Sequence, residues 1–384
     1  MVSQHFNLTL VLMLTFTLPG VSAVRKYQHG IELPTSRPLN IAHRGASGTL
    51  PEHTKEAYKR AIQNEADVIE CDVAITKDGR LICRHDPWLS SSTDIEFHPE
   101  FADRKRTIEI DYYGSKKNVT EWFIFDFTLD EIKTLKAKQT NSERDPSFDG
   151  RYELATFEEY IEIANNAPRT IGIYPELKYP NWMNTLNLLN GTSFEQRLVD
   201  ILTEHGYSKP TDPCFIQSFE FSSLQKLSKL TSLPLVMLVS TENEVSPVRV
   251  EQYSEICYGI GIWKCGIVDH YGENGYKNWI RNVSDVITRI HDSGMRLHVY
   301  TFRNENSNLA WDYHQDPVME YQYYLDLAID GYFTDFPATL DRFLDHVYNE
   351  YNSPDCDANS GSKEGLSLWC FFALILLGIS PSCV

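Results

Sequence analysis

The chain has 384 residues and is 42% apolar, enough to bury one large core, and its length suits one α/β barrel or two smaller domains. A formal net charge of −18 and a pI near 5.1 exclude nucleic acid and anionic membrane surfaces as partners held by general attraction. An anionic substrate therefore needs local cations or a metal.

Residues 8–18, LTLVLMLTFTL, form an apolar run followed by Pro19-Gly20 and the small-residue pattern Val21-Ser22-Ala23. This predicts a secretory signal peptide over 1–23, although no Lys or Arg precedes the run. From there, apolar strand-like runs are expected at 40–42, 68–75, 81–83, 171–177, 214–217, 235–239, 256–262, 296–302 and 331–333. Amphipathic helices are expected at 55–64, 156–165, 194–204, 221–229, 284–292 and 319–327. Such alternation implies parallel strands joined by crossover helices, and about eight strands at this length favour a closed barrel over an open sheet. Residues 87–150 break the rhythm: polar, charged and turn-rich, with one helix-like patch at 129–136, they read as an insertion over one end, a lid or recognition loop.

Three acids end strands. In Asp67-Val68-Ile69-Glu70-Cys71-Asp72-Val73, strand alternation puts Glu70 and Asp72 on one face, and Glu176 closes the run Tyr174-Pro175-Glu176-Leu177-Lys178. Acids in a strand are more often a solvated face, but a barrel strand covered by helices has no solvated face except at its end. Three carboxylates without a Cys or His cluster suit a hard cation, calcium first and magnesium second. His43 and Arg44 end the first strand, in IAHRGASGTLPEH, where a solvated turn competes with a rim site. A two-residue turn at Asp78-Gly79 would place His85 opposite Asp72.

Residues 366–379, LSLWCFFALILLGI, are too short for a comfortable membrane span and follow the small residues Asn359-Ser360-Gly361-Ser362. A glycolipid-anchor signal is expected, with a linker over 351–362 and a removed tail over 363–384, placing the mature protein on the outer face of the plasma membrane or in the medium. Asn118, Asn190 and Asn282 head glycosylation acceptors. Six cysteines lie between the processed ends (Cys71, Cys83, Cys214, Cys257, Cys265, Cys356), which allows fifteen complete pairings; Cys257 and Cys265 are near enough in sequence for a local clip.

The segments HRGASGTLPEHT, IECDVAITKDGRLICRHD, PELK, YTFRNEN and GYFTDFP together resemble the glycerophosphodiester phosphodiesterase family, in particular its bacterial periplasmic branch, from about residue 41 to 343. The resemblance implies a distorted TIM (β/α)8 barrel spanning 24–350, with a divalent metal, that hydrolyses a glycerophosphodiester to sn-glycerol 3-phosphate and an alcohol. It implies His43 and His85 as acid and base, Glu70, Asp72 and Glu176 as metal ligands, and Arg44 and Lys178 as phosphate-binding cations. Trp88, Tyr174, Trp182, Phe219 and Phe302 are candidates for the pocket, with Phe219 and Phe302 preferred. Two other readings are a phospholipase D acting on lysophospholipid or sphingomyelin, and a non-catalytic surface scaffold. Cys71 departs from the aliphatic residue usual in the family.

Overall fold

The structure, a computed structural model, describes residues 31, 33, 36–112, 115–270 and 279–350. The expected signal peptide, linker, C-terminal signal and Cys356 lie outside the described residues. In chain order the elements are β1 (Leu39–Ala42), α1 (Lys55–Gln63), β2 (Val68–Ile75), β3 (Leu81–Cys83), β4 (Arg106–Tyr112), β5 (Ser115–Glu121), α2 (Leu129–Ile132), α3 (Phe157–Asn165), β6 (Gly172–Leu177), α4 (Pro180–Thr185), α5 (Phe194–Glu204) and β7 (Ile216–Ser218). There follow α6 (Phe221–Leu227), β8 (Leu235–Val239), α7 (Pro247–Ser254), β9 (Gly259–Trp263), β10 (Val268–His270), β11 (Ile280–Val283), α8 (Val286–Asp292), β12 (Arg296–Phe302), α9 (Pro317–Asp326), β13 (Gly331–Thr334) and α10 (Pro337–Asp345).

Eight parallel strands close into a barrel in the order β1-β2-β6-β7-β8-β9-β12-β13, and β13 returns to pair with β1. Its interior is packed by Ile41, Val68, Tyr174, Phe215, Val236, Tyr258 and Phe333, with Ile31 and Leu39 in the same cluster. Val68 points inward, so strand alternation turns Glu70 and Asp72 inward too, while Cys71 and Val73 face the helices. A larger apolar layer lies between strands and helices.

Helix starts follow side-chain caps: Thr54 caps α1, Thr156 forms a capping box with Glu159 on α3, and Ser193 caps α5. The expected helices are all present. Those the periodicity does not suggest, α4, α7 and α10, each open on a proline. Proline reads as a breaker in a periodic pattern, yet at the first helical position its missing N–H costs nothing.

β3 is not a barrel stave. It pairs antiparallel with the upper end of β2, on the edge that β1 leaves when it ends at Ala42. The turn between them holds three residues, Lys77, Asp78 and Gly79: Thr76 N–H donates to the Arg80 carbonyl (2.9 Å), and Gly79 takes φ +74°. A three-residue turn ending in a left-handed glycine shifts the register by one from the two-residue expectation. Asp72 therefore stands opposite Arg84, whose N–H donates to the Asp72 carbonyl (2.7 Å), and His85 lies one residue further along. A disulfide joins Cys71 to Cys83 on the outer face of this hairpin. The suggested Cys257–Cys265 clip is not formed; both thiols are free, as is Cys214. Cys257 precedes β9 and Cys265 follows it, and eight residues of mostly extended chain span about 25 Å, far beyond disulfide reach.

The insertion after β3 is less polar inside than its composition suggests. Leu89, Ile95, Phe123, Ile124, Phe127, Ile132 and Leu135 are buried against the barrel's outer layer, while β4 and β5 form a separate two-stranded ribbon. Ile108, Ile110 and Val119 give the ribbon one face toward the core and leave Thr107, Glu109, Asn118 and Thr120 exposed on the other, an alternation carried by only three apolar residues amid charged chain. Asn118, Asn190 and Asn282 are all exposed.

Candidate active site

The site occupies the rim at the C-terminal ends of the barrel strands. The register aligns Asp72 on β2 with Glu176 on β6, and Glu176 with Gln217 on β7, so three polar side chains lie level on adjacent staves with Glu70 one step below. Glu70, Asp72 and Glu176 are buried, and one oxygen from each lies within 4.8 Å of the others. Burial and the neighbouring Asp72 push the Glu70 carboxyl well above its usual range, and burial pushes Glu176 up to about 8 against the pull of Lys178. Asp72 goes the other way: its burial is outweighed by Lys178 and Arg44, which hold it ionised. The protein's own cations thus leave the triad short of positive charge. Gln217, also buried, donates weakly from Nε2 to Glu70 Oε1 (3.4 Å), while its Oε1 has no hydrogen-bond partner among the described residues. This all-oxygen donor set fits a hard divalent cation and offers nothing to a softer metal.

The loop after β1 turns sharply, with Arg44 at φ 59° and Gly45 at φ 84°. A Cβ on Gly45 would meet the Ala57 backbone at 2.7 Å, so only glycine lets the loop lie on α1. This turn aims Arg44 across the acids. Its backbone N–H donates to Glu70 (2.7 Å), its Nη1 to Glu52 (3.0 Å), and its Nε lies 3.1 Å from Asp72. Lys178 Nζ is 2.9 Å from Glu176 and 3.6 Å from Asp72. His53, wholly buried, bridges Asp72 (3.0 Å) and the Tyr58 hydroxyl (2.8 Å).

Each proposed proton carrier is held at Nδ1 by a carboxylate. His43 is 2.6 Å from Asp335 Oδ1, just after β13, and His85 is 2.8 Å from Asp86. Burial, helped by Arg44, lowers His43 to about 4 even against Asp335, and burial likewise lowers His85. Both rings are therefore neutral near pH 7. The carboxylates accept Nδ1–H, which leaves Nε2 to take a proton.

All seven residues expected to do chemistry, His43, Arg44, Glu70, Asp72, His85, Glu176 and Lys178, converge on this rim. Of the pocket candidates, Phe219 is there, 5.9 Å from Lys178 Nζ and edge-on to Tyr300. Phe302 is a correction: wholly buried, it packs among Tyr321, Tyr324 and Tyr332 in the layer behind the strands. Strict alternation along β12 would turn Phe302 inward with His298 and Tyr300, but the register slips between Val299 and Phe302, and this irregularity puts Phe302 on the helix side with Leu297. Tyr174 also leaves the pocket, for the barrel interior. Sequence reasoning does not single out Glu52, His53, Asp86, Arg144 or Asp335. Asp335 carries a usable signal: it follows the last stave as His43 follows the first.

A rim of three acids, two carboxylate-held histidines and two cations on a closed eight-stranded barrel defines a phosphodiester hydrolase of the TIM-barrel type. The sequence matches the Glycerophosphoryl diester phosphodiesterase family over residues 43–339, and the chain belongs to that family. It is 41% identical over 343 residues to a glycerophosphodiester phosphodiesterase of Arabidopsis thaliana, spanning 84% of this chain and 88% of that one. A glycerophosphodiester phosphodiesterase of Bacillus subtilis is 29% identical over 335 residues, 85% of this chain and 92% of that one. Among solved structures, an Oleispira antarctica phosphodiesterase in complex with the product sn-glycerol-3-phosphate superposes with a TM-score of 0.54 at 20% identity, over 79% of this chain and 96% of that one.

Proposed function

We propose that the protein uses a divalent cation, calcium in first place, to hydrolyse glycerophosphodiesters such as glycerophosphocholine to an alcohol and sn-glycerol 3-phosphate. The observation that carries this reading is the buried triad of Glu70, Asp72 and Glu176 with Arg44 and Lys178 against it. The three carboxylates would hold the cation, which would supply Lewis-acid polarisation of a phosphoryl oxygen. Arg44 and Lys178 meet the charge that grows on the phosphoryl group. One histidine, neutral, takes the proton of the attacking oxygen at Nε2. The other acts from its minor imidazolium form, protonated at Nε2 and stabilised by its partner carboxylate, and gives that proton to the departing alkoxide. Purified protein should turn over glycerophosphocholine with added calcium, lose all turnover in excess chelator, and recover on readdition. Full activity in chelator would remove the metal from the mechanism. A nitrophenyl ester, whose leaving group needs little protonation, should rescue alanine at the acid histidine and not at the base, which assigns the two roles.

The same reading places the mature protein outside the cell on a glycolipid anchor, supported by the apolar runs at 8–18 and 366–379. Release from cells by a phosphatidylinositol-cleaving lipase tests it; retention would favour a spanning helix.

A further inference from the structure

We propose that Arg144, supplied by the insertion, is a positioning residue for His43. This rests on the reading of His43 as a proton carrier. The Arg144 side chain is 4% exposed and spends each edge of its guanidinium on a different partner. Nη2 donates to Asp335 Oδ2 (2.5 Å), Nε to Glu305 (2.6 Å) and Nη1 to the Ser47 carbonyl (3.0 Å). The first and third of these lead to His43 by separate routes. Asp335 Oδ2 is also taken by Arg303 Nε (2.7 Å), so with that oxygen occupied, Oδ1 is turned to His43 Nδ1. Ser47 belongs to the His43 loop, and its hydroxyl donates to the His43 carbonyl (2.7 Å).

The neighbours of Arg144 make the same junction. Gln139 donates to the Ser47 carbonyl (3.1 Å), Thr140 to Glu52 (3.3 Å) and Asn141 to Glu305 (3.4 Å), while Ser307 donates to Glu143 (2.5 Å). Residues 139–144 therefore fasten the insertion to the loops after β1 and β12, with Arg144 as the member that reaches the histidine's carboxylate. A base held by an oriented third group loses rate when that group turns, even though the base itself is intact. Lysine cannot replace the fork, because a single ammonium cannot serve three acceptors spread around a plane.

The experiment compares wild type, Arg144→Lys, Arg144→Met, Asp335→Asn and the Arg144→Met/Asp335→Asn double variant, all with calcium. It reads turnover of glycerophosphocholine, calcium affinity, and the 15N shifts of the His43 ring, assigned against His43→Gln. Both Arg144 variants should lose about 10- to 100-fold in kcat, with KM and calcium affinity within about twofold of wild type. The His43 signal should lose its preference for the Nδ1–H tautomer, and the kcat loss should vanish in the Asp335→Asn background. Arg144→Lys keeps the charge and serves if Arg144→Met folds poorly. Unchanged kcat, or a loss fully additive with Asp335→Asn, overturns the proposal. If wild type proves inactive on this substrate, the ring shifts still decide: an Nδ1–H tautomer retained in both Arg144 variants overturns it.

Discussion

The two histidines look alike in isolation and are built differently. His85 finds its carboxylate on the next residue, and its side chain is 29% exposed. His43 is 12% exposed and bonds to an aspartate 292 residues away, which is itself gripped by Arg303 and by Arg144 from the insertion. One pair is set by local chain geometry and survives wherever its loop goes. The other exists only when the first and last staves of the barrel lie side by side. Two groups of the same chemical kind can therefore differ in what their placement costs the fold, and the long-range one is the more sensitive to distant change.

The largest expected effect falls on both equally. On the proposed function, Glu176→Gln should weaken calcium binding, measured by titration calorimetry, and lower turnover on a scale of about 10⁴-fold or more, because the metal would serve the phosphate that both histidines would attend. The comparison itself is tested by the two aspartates. Asp335→Asn should cost about 10³- to 10⁴-fold in kcat, since an amide can present the wrong group to Nδ1 and reverse the tautomer. Asp86→Asn, beside a more solvated ring, should cost about tenfold. Equal losses in steady-state kinetics would erase the distinction between local and long-range placement. Smaller again for catalysis is Cys71→Ser with Cys83→Ser. This pair lies on the outer face of the hairpin that carries Asp72 and leads to His85. Thermal or urea unfolding should show a loss of about 2–3 kcal/mol for so short a loop, while kcat changes by less than about threefold.

Much of the barrel and of its rim is legible in the amino-acid sequence. The limits of β2, β3, β8, β12 and α5 match the apolar patterns, and alternation alone sets Glu70 and Asp72 on one face. A parallel neighbour ending at the same height then makes Glu176 the natural third acid. What the sequence hides, it hides for physical reasons. Asp335 meets His43 only through barrel closure, which no local period encodes. The β2–β3 register turns on whether the turn holds two residues or three, and Asp-Gly suits both. Phe302 faces away from the pocket because the β12 register slips between Val299 and Phe302, which reverses the side that the strand's alternation assigns it, and no local pattern marks the slip. Arg144 lies in a stretch with no periodicity, so nothing in its surroundings marks it.

The pairing of β1 with β13 has a consequence for the life of the chain. A copy cut short by a premature stop or a protease before Gly331 lacks the strand that joins the two ends of the sheet, leaving β1 and β12 each with an unpaired flank. Bare strand edges recruit other strands, so such fragments should aggregate rather than persist as weakly active enzyme. The same geometry makes activity a certificate of full-length synthesis: a cell that detects turnover is detecting chains translated at least as far as Asp335.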